Sequence, residues 1–556
     1  MKKRRIDLLT LSPLLLLILL PLGAFFGIYF TTTAAHPEIA LHKYFSIPLI
    51  GFSIGCVIFL GIARNNWRLP YALSSFIERY SNRIILIISL IFLICFTTLA
   101  ILRYTSFHTS ILDMGIFDKK IWRISTASLS AFFYEISLGH FQPLLILHGI
   151  IYKFIDSPVI IQGLQSLVTI SGVIPIYLIT RRQFNHAGII ILIVGCYLLY
   201  PPVGFNSTLD FHADHLYIPL ILWAYYFAEK DKYITAITFA GIGAMAKEPL
   251  ILGAAFFGLY IALAKKQYKI GIAAFVFFLL LFFIIIYIAL PHFNQTPAFS
   301  GGTFPFLEDN NSGKLTTLIN SLINTLLMWK VRKMLFVYFL LAPLLFLPLL
   351  EWKRFLPAIP LIAIPLLSTS YLHASIDSQY TAGIIAPAFV ALVFSIKKIE
   401  EWRGIKYANA FASFVVIMTI TFHIAHGASP IYFSFWKDGW AEIWHRSNYT
   451  YSEHEKAIET GIFKIPKETD KIVTSQNSIN HARLAHRYKH WVFPYQWEEA
   501  DYILLDIKRP LMIYDHVDEK MYMEELRKIK QSPDFQPEFE KDGVLLFKRA
   551  MKGTTS

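Results

Sequence analysis

The chain has 556 residues, 55% hydrophobic and only 16% charged, with 47 phenylalanines and a mean hydropathy of +0.49. Soluble chains carry about a quarter charged residues, so a water-soluble globular protein is excluded. Cys56, Cys95 and Cys196 all sit in apolar runs, which excludes a disulfide framework and a Cys-based zinc or redox site.

In chain order, Lys2, Lys3, Arg4 and Arg5 precede an apolar run at 8–30. A signal-peptide core has roughly 7–15 apolar residues, so this longer run reads as an uncleaved first helix. Further apolar segments lie at 45–63, 84–102, 159–180, 187–202, 215–228, 233–246, 249–264, 270–290, 334–351, 355–370, 381–396 and 407–425. Lipid forces every backbone polar group to be satisfied within the segment, so helices rather than open strands are expected. The expectation is an all-α polytopic membrane domain over 1–429, with about 13 transmembrane helices.

Lys and Arg near helix ends stay on the cytoplasmic side. With the N-terminus inside, Arg64, Arg68 and Arg79, then Arg181 and Arg182, then Lys230 and Lys232 fall in cytoplasmic loops. Lys265, Lys266 and Lys269, then Lys353 and Arg354, then Lys397, Lys398, Arg403 and Lys406 continue the alternation. The net charge of +13 is therefore largely topological, and no nucleic-acid partner is expected. The scheme requires two short helices meeting at Lys247-Glu248; one continuous helix over 233–264 would invert every later loop.

The tail, 430–556, is polar and lies outside in this scheme. β-like runs at 471–475, 502–506 and 544–547, a helical stretch at 518–530 and an Asp542-Gly543 turn predict a small extracytoplasmic α/β domain. It has no Gly-rich phosphate loop.

Five polar constellations fall on the outer side. Asp113-Met-Gly-Ile-Phe-Asp118-Lys-Lys-Ile-Trp122 offers carboxylates for a general base or for a divalent cation. Its plain alternative is a helix cap and a solvated charge. Gly139-His140-Phe-Gln142-Pro143 offers phosphate or substrate contacts, or a structural interfacial histidine. Asp210-Phe-His212-Ala-Asp214-His215 matches no standard zinc spacing and reads as substrate or phosphate contact, or as a wet loop. Lys247-Glu248 marks a lined cavity or a satisfied ion pair. His373 to Tyr380, including Gln379, is a polar helix entrance.

Taken in order, Asp113 to Trp122, His140 to Pro143, Phe211-His212, Lys247-Glu248 and Gln379-Tyr380 resemble a bacterial and archaeal membrane-protein family catalogued as a domain of unknown function. That family is grouped with the GT-C glycosyltransferases, which include dolichyl-phosphate-mannose-dependent enzymes. The likeness spans roughly residues 100–400; Ala213 and Pro249 depart from it, where Pro and an acidic residue are usual. The resemblance implies a GT-C-like fold and a polyprenyl-phosphate-linked sugar donor. Joined to the site residues, it gives a glycosyltransferase of the cell membrane with its active face extracytoplasmic. Asp113 and Asp118 are the catalytic candidates. His140, Gln142, His212, Asp214, Lys247, Glu248, Gln379 and Tyr380 are the substrate contacts. Mg or Mn is the cofactor this reading allows, and the acceptor is a glycan, a lipid or a protein. The alternatives are a lipid or solute transporter or flippase, and a non-catalytic scaffold.

Overall fold

The computed structural model describes residues 41–64, 70–294, 303–305, 315–437, 444–466, 471–475, 489–509 and 519–550. The expected helix at 8–30 lies outside the described residues. The membrane body runs through α1 (Leu41–Ala63), α2 (Tyr71–Thr105), α3 (Ile116–Thr126), α4 (Leu129–Ser137) and α5 (Leu145–Tyr152). It continues with α6 (Pro158–Ser171), α7 (Val173–Gln183), α8 (Ala187–Leu199), α9 (Pro201–Thr208), α10 (Tyr217–Ala228), α11 (Tyr233–Ala244) and α12 (Leu250–Ala264). After α13 (Tyr268–Ile284) come α14 (Leu290–Asn294), α15 (Leu315–Leu327), α16 (Lys330–Leu341), α17 (Trp352–Phe355), α18 (Ile359–Leu366), α19 (Ala382–Arg403) and α20 (Ile405–Ala425).

Among the described residues, six helices are long and apolar enough to cross a membrane, or up to eight if each bent pair is one span. The expected thirteen was a count of apolar runs, and folding divides or shortens several of them. α11 and α12 are apolar helices below the about 20 residues a straight span needs. Pro201-Pro202 remove two backbone donors and bend α8 against α9 by 50°. α2 is longer than the expected 84–102 and carries Arg79 on the helix rather than in a loop.

Small residues set the closest approaches. A Cβ on Gly258 would stand 2.7 Å from the Gly271 carbonyl oxygen, so α12 and α13 touch backbone to backbone, as small residues allow between membrane helices.

At one end of the bundle Glu229 pairs with Lys265 at 2.9 Å and Arg354 at 3.6 Å, while Glu351 pairs with Arg354 at 2.6 Å and Lys398 at 3.2 Å. Four loops expected to share a side therefore meet. α10 and α12 run from this network to Asp214 and Glu248, and at 1.5 Å per residue the two ends stand about 18–22 Å apart. The chain reaches the network at 351–354 and returns, so 334–351 and 355–370 form a descending and an ascending limb.

The terminal domain is a five-stranded sheet of order β2-β1-β3-β5-β4, with β1 (Ile472–Ser475), β2 (Lys489–Val492), β3 (Tyr502–Asp506), β4 (Phe535–Lys541) and β5 (Val544–Arg549). β1 pairs in parallel with β2 and β3, while β5 is antiparallel to β3 and β4. Tyr502, Leu504, Val544 and Leu546 face α21 (Glu453–Lys464), whereas Ile503, Leu505, Leu545 and Phe547 face α22 (Glu519–Gln531). Burial on both faces is why the strands read as continuous apolar runs. Asp542 and Gly543, at φ 52° and 84°, make the β4–β5 turn. Tyr432, Phe435, Trp444 and Tyr449 pack into the helical core, and the Ser452 capping box opens α21.

Candidate active site

The other end of the bundle gathers the polar constellations. Just past α2, Phe107 takes a left-handed conformation, φ 59°, and reverses the chain. A π-helical turn over Ile111–Gly115 then delivers Asp113 ahead of α3. The Asp210 loop is fastened across this turn. Arg103 Nη2 stands 3.1 Å from Asp210 Oδ1, and Ser110 N–H donates to Asp210 Oδ2 at 2.5 Å. Arg103 Nε also donates to the His108 carbonyl at 3.1 Å.

His212 is fixed on three sides. Its N–H donates to Gln165 Oε1 at 3.0 Å, its Nδ1 meets the Asp210 carbonyl at 2.8 Å, and its Nε2 lies 3.4 Å from Asp113 Oδ1. A carbonyl only accepts, so Nδ1 carries a proton. A neutral ring would then turn a bare Nε2 lone pair toward a carboxylate, and protonation turns that repulsion into an ion pair. Burial opposes the charge on both groups, but the mutual bond prevails: Asp113 is held below its ordinary value of 3.8 and His212 above 6.5. The Asp113 side chain is 48% exposed, and His212 only 8%. Asp113 is therefore half-open while His212 is buried behind it.

Below this pair lies a buried cation. Lys247 Nζ is 3.7 Å from Asp214 Oδ2 and 5.3 Å from the Tyr380 ring centroid, a cation–π geometry. Glu248 joins a neighbouring bond, from Oε1 to His140 Nδ1 at 2.7 Å, and accepts the Phe141 N–H at 3.1 Å. The His140 side chain is 51% exposed. Gly139, at φ 74°, makes the turn that presents it. Lys120 binds that turn from behind, donating to the carbonyls of Leu138 and His140 and to Gln142 Oε1 at 2.9 Å.

The structure thus brings Asp113, His212, Asp214, Lys247, Glu248, His140 and Tyr380 to one end. Asp118 is parted from Asp113: it is fully buried and accepts the Tyr152 hydroxyl of α5. The five-residue spacing turns it to the inner face of α3, so a shared catalytic role for the two aspartates is not what the geometry offers. Gln142 is also buried, bonded to Lys120 rather than open to a substrate. Gln379 is half-buried beside Tyr380. Sequence reasoning passed over Arg103 and Lys120; Arg103 carried a signal, since a basic residue closing the run 84–102 falls on the outer side of the loop-charge scheme, where topological charges are not expected.

Among the described residues no three or more His, Cys, Asp or Glu are grouped to hold a metal ion. Asp113, Asp210 and Asp214 each already face a cationic side chain.

Fold and site together define a polytopic helical membrane protein with a cluster of paired charges at one end and an α/β domain over that end. Trp444 against Arg103, the Ser106 hydroxyl on the Asn448 carbonyl at 2.8 Å, and Arg509 against His108 make the junction. The chain belongs to the family described as predicted membrane protein (DUF2079), whose model matches residues 103–546. No curated protein matches it. Among solved structures it is similar to ArnT from Cupriavidus metallidurans bound to undecaprenyl phosphate, at 8% identity and TM-score 0.44, covering 84% of this chain and 98% of that one. The apo state of the same enzyme gives 8% identity and TM-score 0.41, covering 80% and 95%.

Proposed function

We propose that the protein is a membrane glycosyltransferase that moves a sugar from a polyprenyl-phosphate carrier to an acceptor hydroxyl, on the extracytoplasmic face of the cell membrane. The observation that carries this reading is Asp113: a half-exposed carboxylate, oriented by His212, over buried Lys247. Oδ1 faces His212, which leaves Oδ2 for the acceptor. The acceptor oxygen attacks the anomeric carbon and gives its proton to Asp113. The bond from that carbon to the phosphate oxygen breaks, and the electron pair leaves with the phosphate. A phosphate stabilised by nearby cations leaves without a separate general acid, so one carboxylate suffices, unlike the paired acids of a glycosidase. His140 is the exposed hydrogen-bonding contact to sugar, phosphate or acceptor, Lys247 adds positive charge from beneath, and His212 acts through Asp113. The acceptor is a glycan, a lipid or a protein.

Lys247 and Glu248 favour this reading over a transporter, because each has its own partner in the end loops, Asp214 and His140. The test compares lipid-linked and surface glycans in a deletion strain complemented by wild type or by Asp113→Asn. Loss of the glycan with Asp113→Asn, at normal membrane abundance, is expected. Full retention by Asp113→Asn removes the base from the mechanism.

A further inference from the structure

A concavity lies on the same end, outside the Asp113 cluster. It is a cavity of about 650 Å³ between α16 and the loop 374–377, within the size range of ligand sites. Lys330 and Arg332 stand at one side, Asp377 at the other, and Leu335, Phe336 and Phe339 line its depth. Arg332 packs over the Tyr371 ring at 5.1 Å, yet its buried Nε has no hydrogen-bond partner among the described residues. Two cations less one carboxylate leave one positive charge, the complement of a phosphodiester.

The cavity's surroundings suit the level of the membrane interface. α15 is amphipathic, with Ile319, Ile323, Leu326 and Leu327 exposed along one stripe and Thr325 buried opposite, where its carbonyl accepts Lys333 Nζ at 2.5 Å. Its 13 residues are too few for a straight span, and an exposed apolar stripe backed by Thr, Ser and Asn suits the boundary between lipid and water. Trp329, 51% exposed and donating its indole N–H to the Thr369 carbonyl at 2.9 Å, stands where aromatic belts stand. A cationic groove at that level, with an apolar floor, matches a lipid that carries its phosphate at headgroup height and its chain below.

We infer that the α16 groove is the docking site through which a lipid-linked sugar reaches the Asp113 cluster, with Lys330 and Arg332 taking its phosphodiester and Leu335, Phe336 and Phe339 its first isoprene units. The identity of that lipid rests on the glycosyl-transfer reading. Asp377 lies three residues before Tyr380, whose ring receives Lys247, so the groove adjoins that cluster. A contact made at docking and kept afterwards acts on KM and leaves kcat unchanged.

The experiment is equilibrium binding of radiolabelled decaprenyl methyl phosphate to the full chain in phosphatidylcholine nanodiscs. Arg332→Gln is expected to weaken binding about tenfold, the scale of a lost hydrogen bond to a charged group. Lys330→Gln with Arg332→Gln weakens it further. Asp377→Asn, which removes the opposing charge, tightens it, and reports on the groove even where the double variant does not fold. Unchanged affinity in these variants overturns the proposal, as does equal competition by phosphatidylglycerol, which would make the groove an ordinary phospholipid site. Asp113→Asn separates the two readings. If it keeps full transfer while groove variants lose binding, the groove stands and the transfer mechanism falls. If it abolishes transfer while groove variants bind normally, the docking site falls alone.

Discussion

Replacing Arg103 tests whether the site is built on a buried ion pair. The Arg103 and Asp210 side chains are 9% and 2% exposed and 3.1 Å apart. Removing one partner of such a pair strands the other charge, at a cost of about 3–5 kcal/mol, or a factor of about 100–5,000 in the unfolding equilibrium. Arg103→Met leaves the Asp210 carboxylate with the Ser110 amide and also removes the donor to the His108 carbonyl. Asp210→Asn leaves the Arg103 cation facing a neutral amide. Unfolding of the purified protein in mixed micelles with increasing SDS, measured for wild type, both single variants and the double variant, completes the cycle. The two losses are expected to sum to more than the double variant's loss by about 1.5–3 kcal/mol, the upper part of the range for contacting residues. Additivity to within about 0.5 kcal/mol would show that the two groups do not act on each other, and the anchoring of the Asp113 turn would then need another source.

Asp118→Asn is expected to retain transfer within a few fold, since an amide oxygen still accepts the Tyr152 hydroxyl. Tyr152→Phe, which withdraws that donor from a buried carboxylate, is expected to lower stability by about 1–3 kcal/mol in the same assay. The Asp113–His212 pair gives a pH signature. Asp113 lies below its ordinary 3.8, so its share of stability is present above that value and lost as pH falls through the lower folded-state value; His212 lies above 6.5, so its share is present below 6.5 and lost as pH rises through the higher one. The stability difference between wild type and Asp113→Asn should therefore be largest at about pH 4–6.5 and shrink on either side; a flat difference from pH 4 to 9 would refute the pairing. For topology, tags at 181–186 and 265–269 should report the cytoplasm and a tag at 556 should not; a cytoplasmic C-terminal tag would overturn the proposed active face.

Some features were open to a reader of the chain alone. Hydropathy and loop charge are summed over windows of about 20 residues, so a polytopic helical body, the break at Lys247-Glu248 and the grouping of the basic loops were legible. The runs at 502–506 and 544–547 were legible as strands because burial on both faces leaves no polar alternation. β2 and β4 were not, since exposed or short strands carry little apolar signal. The short polar motifs stood out because charge is scarce in such a chain.

What each motif does was decided by contacts between distant residues. Arg103 meets Asp210 across about 100 residues, and nothing within a window of either names the other as its partner. Asp113 and Asp118 look alike in sequence, yet a π-turn leaves one half-open and the first turn of α3 buries the other against Tyr152. Lys330 and Arg332 form no motif in the chain, and only α16 and the 374–377 loop bring them to one cavity. Local pattern sets which segments enter lipid, because the transfer free energy of a helix is a sum over its own residues. Which charges are paired, buried or left open depends on how helices pack, and that is a property of the folded chain alone.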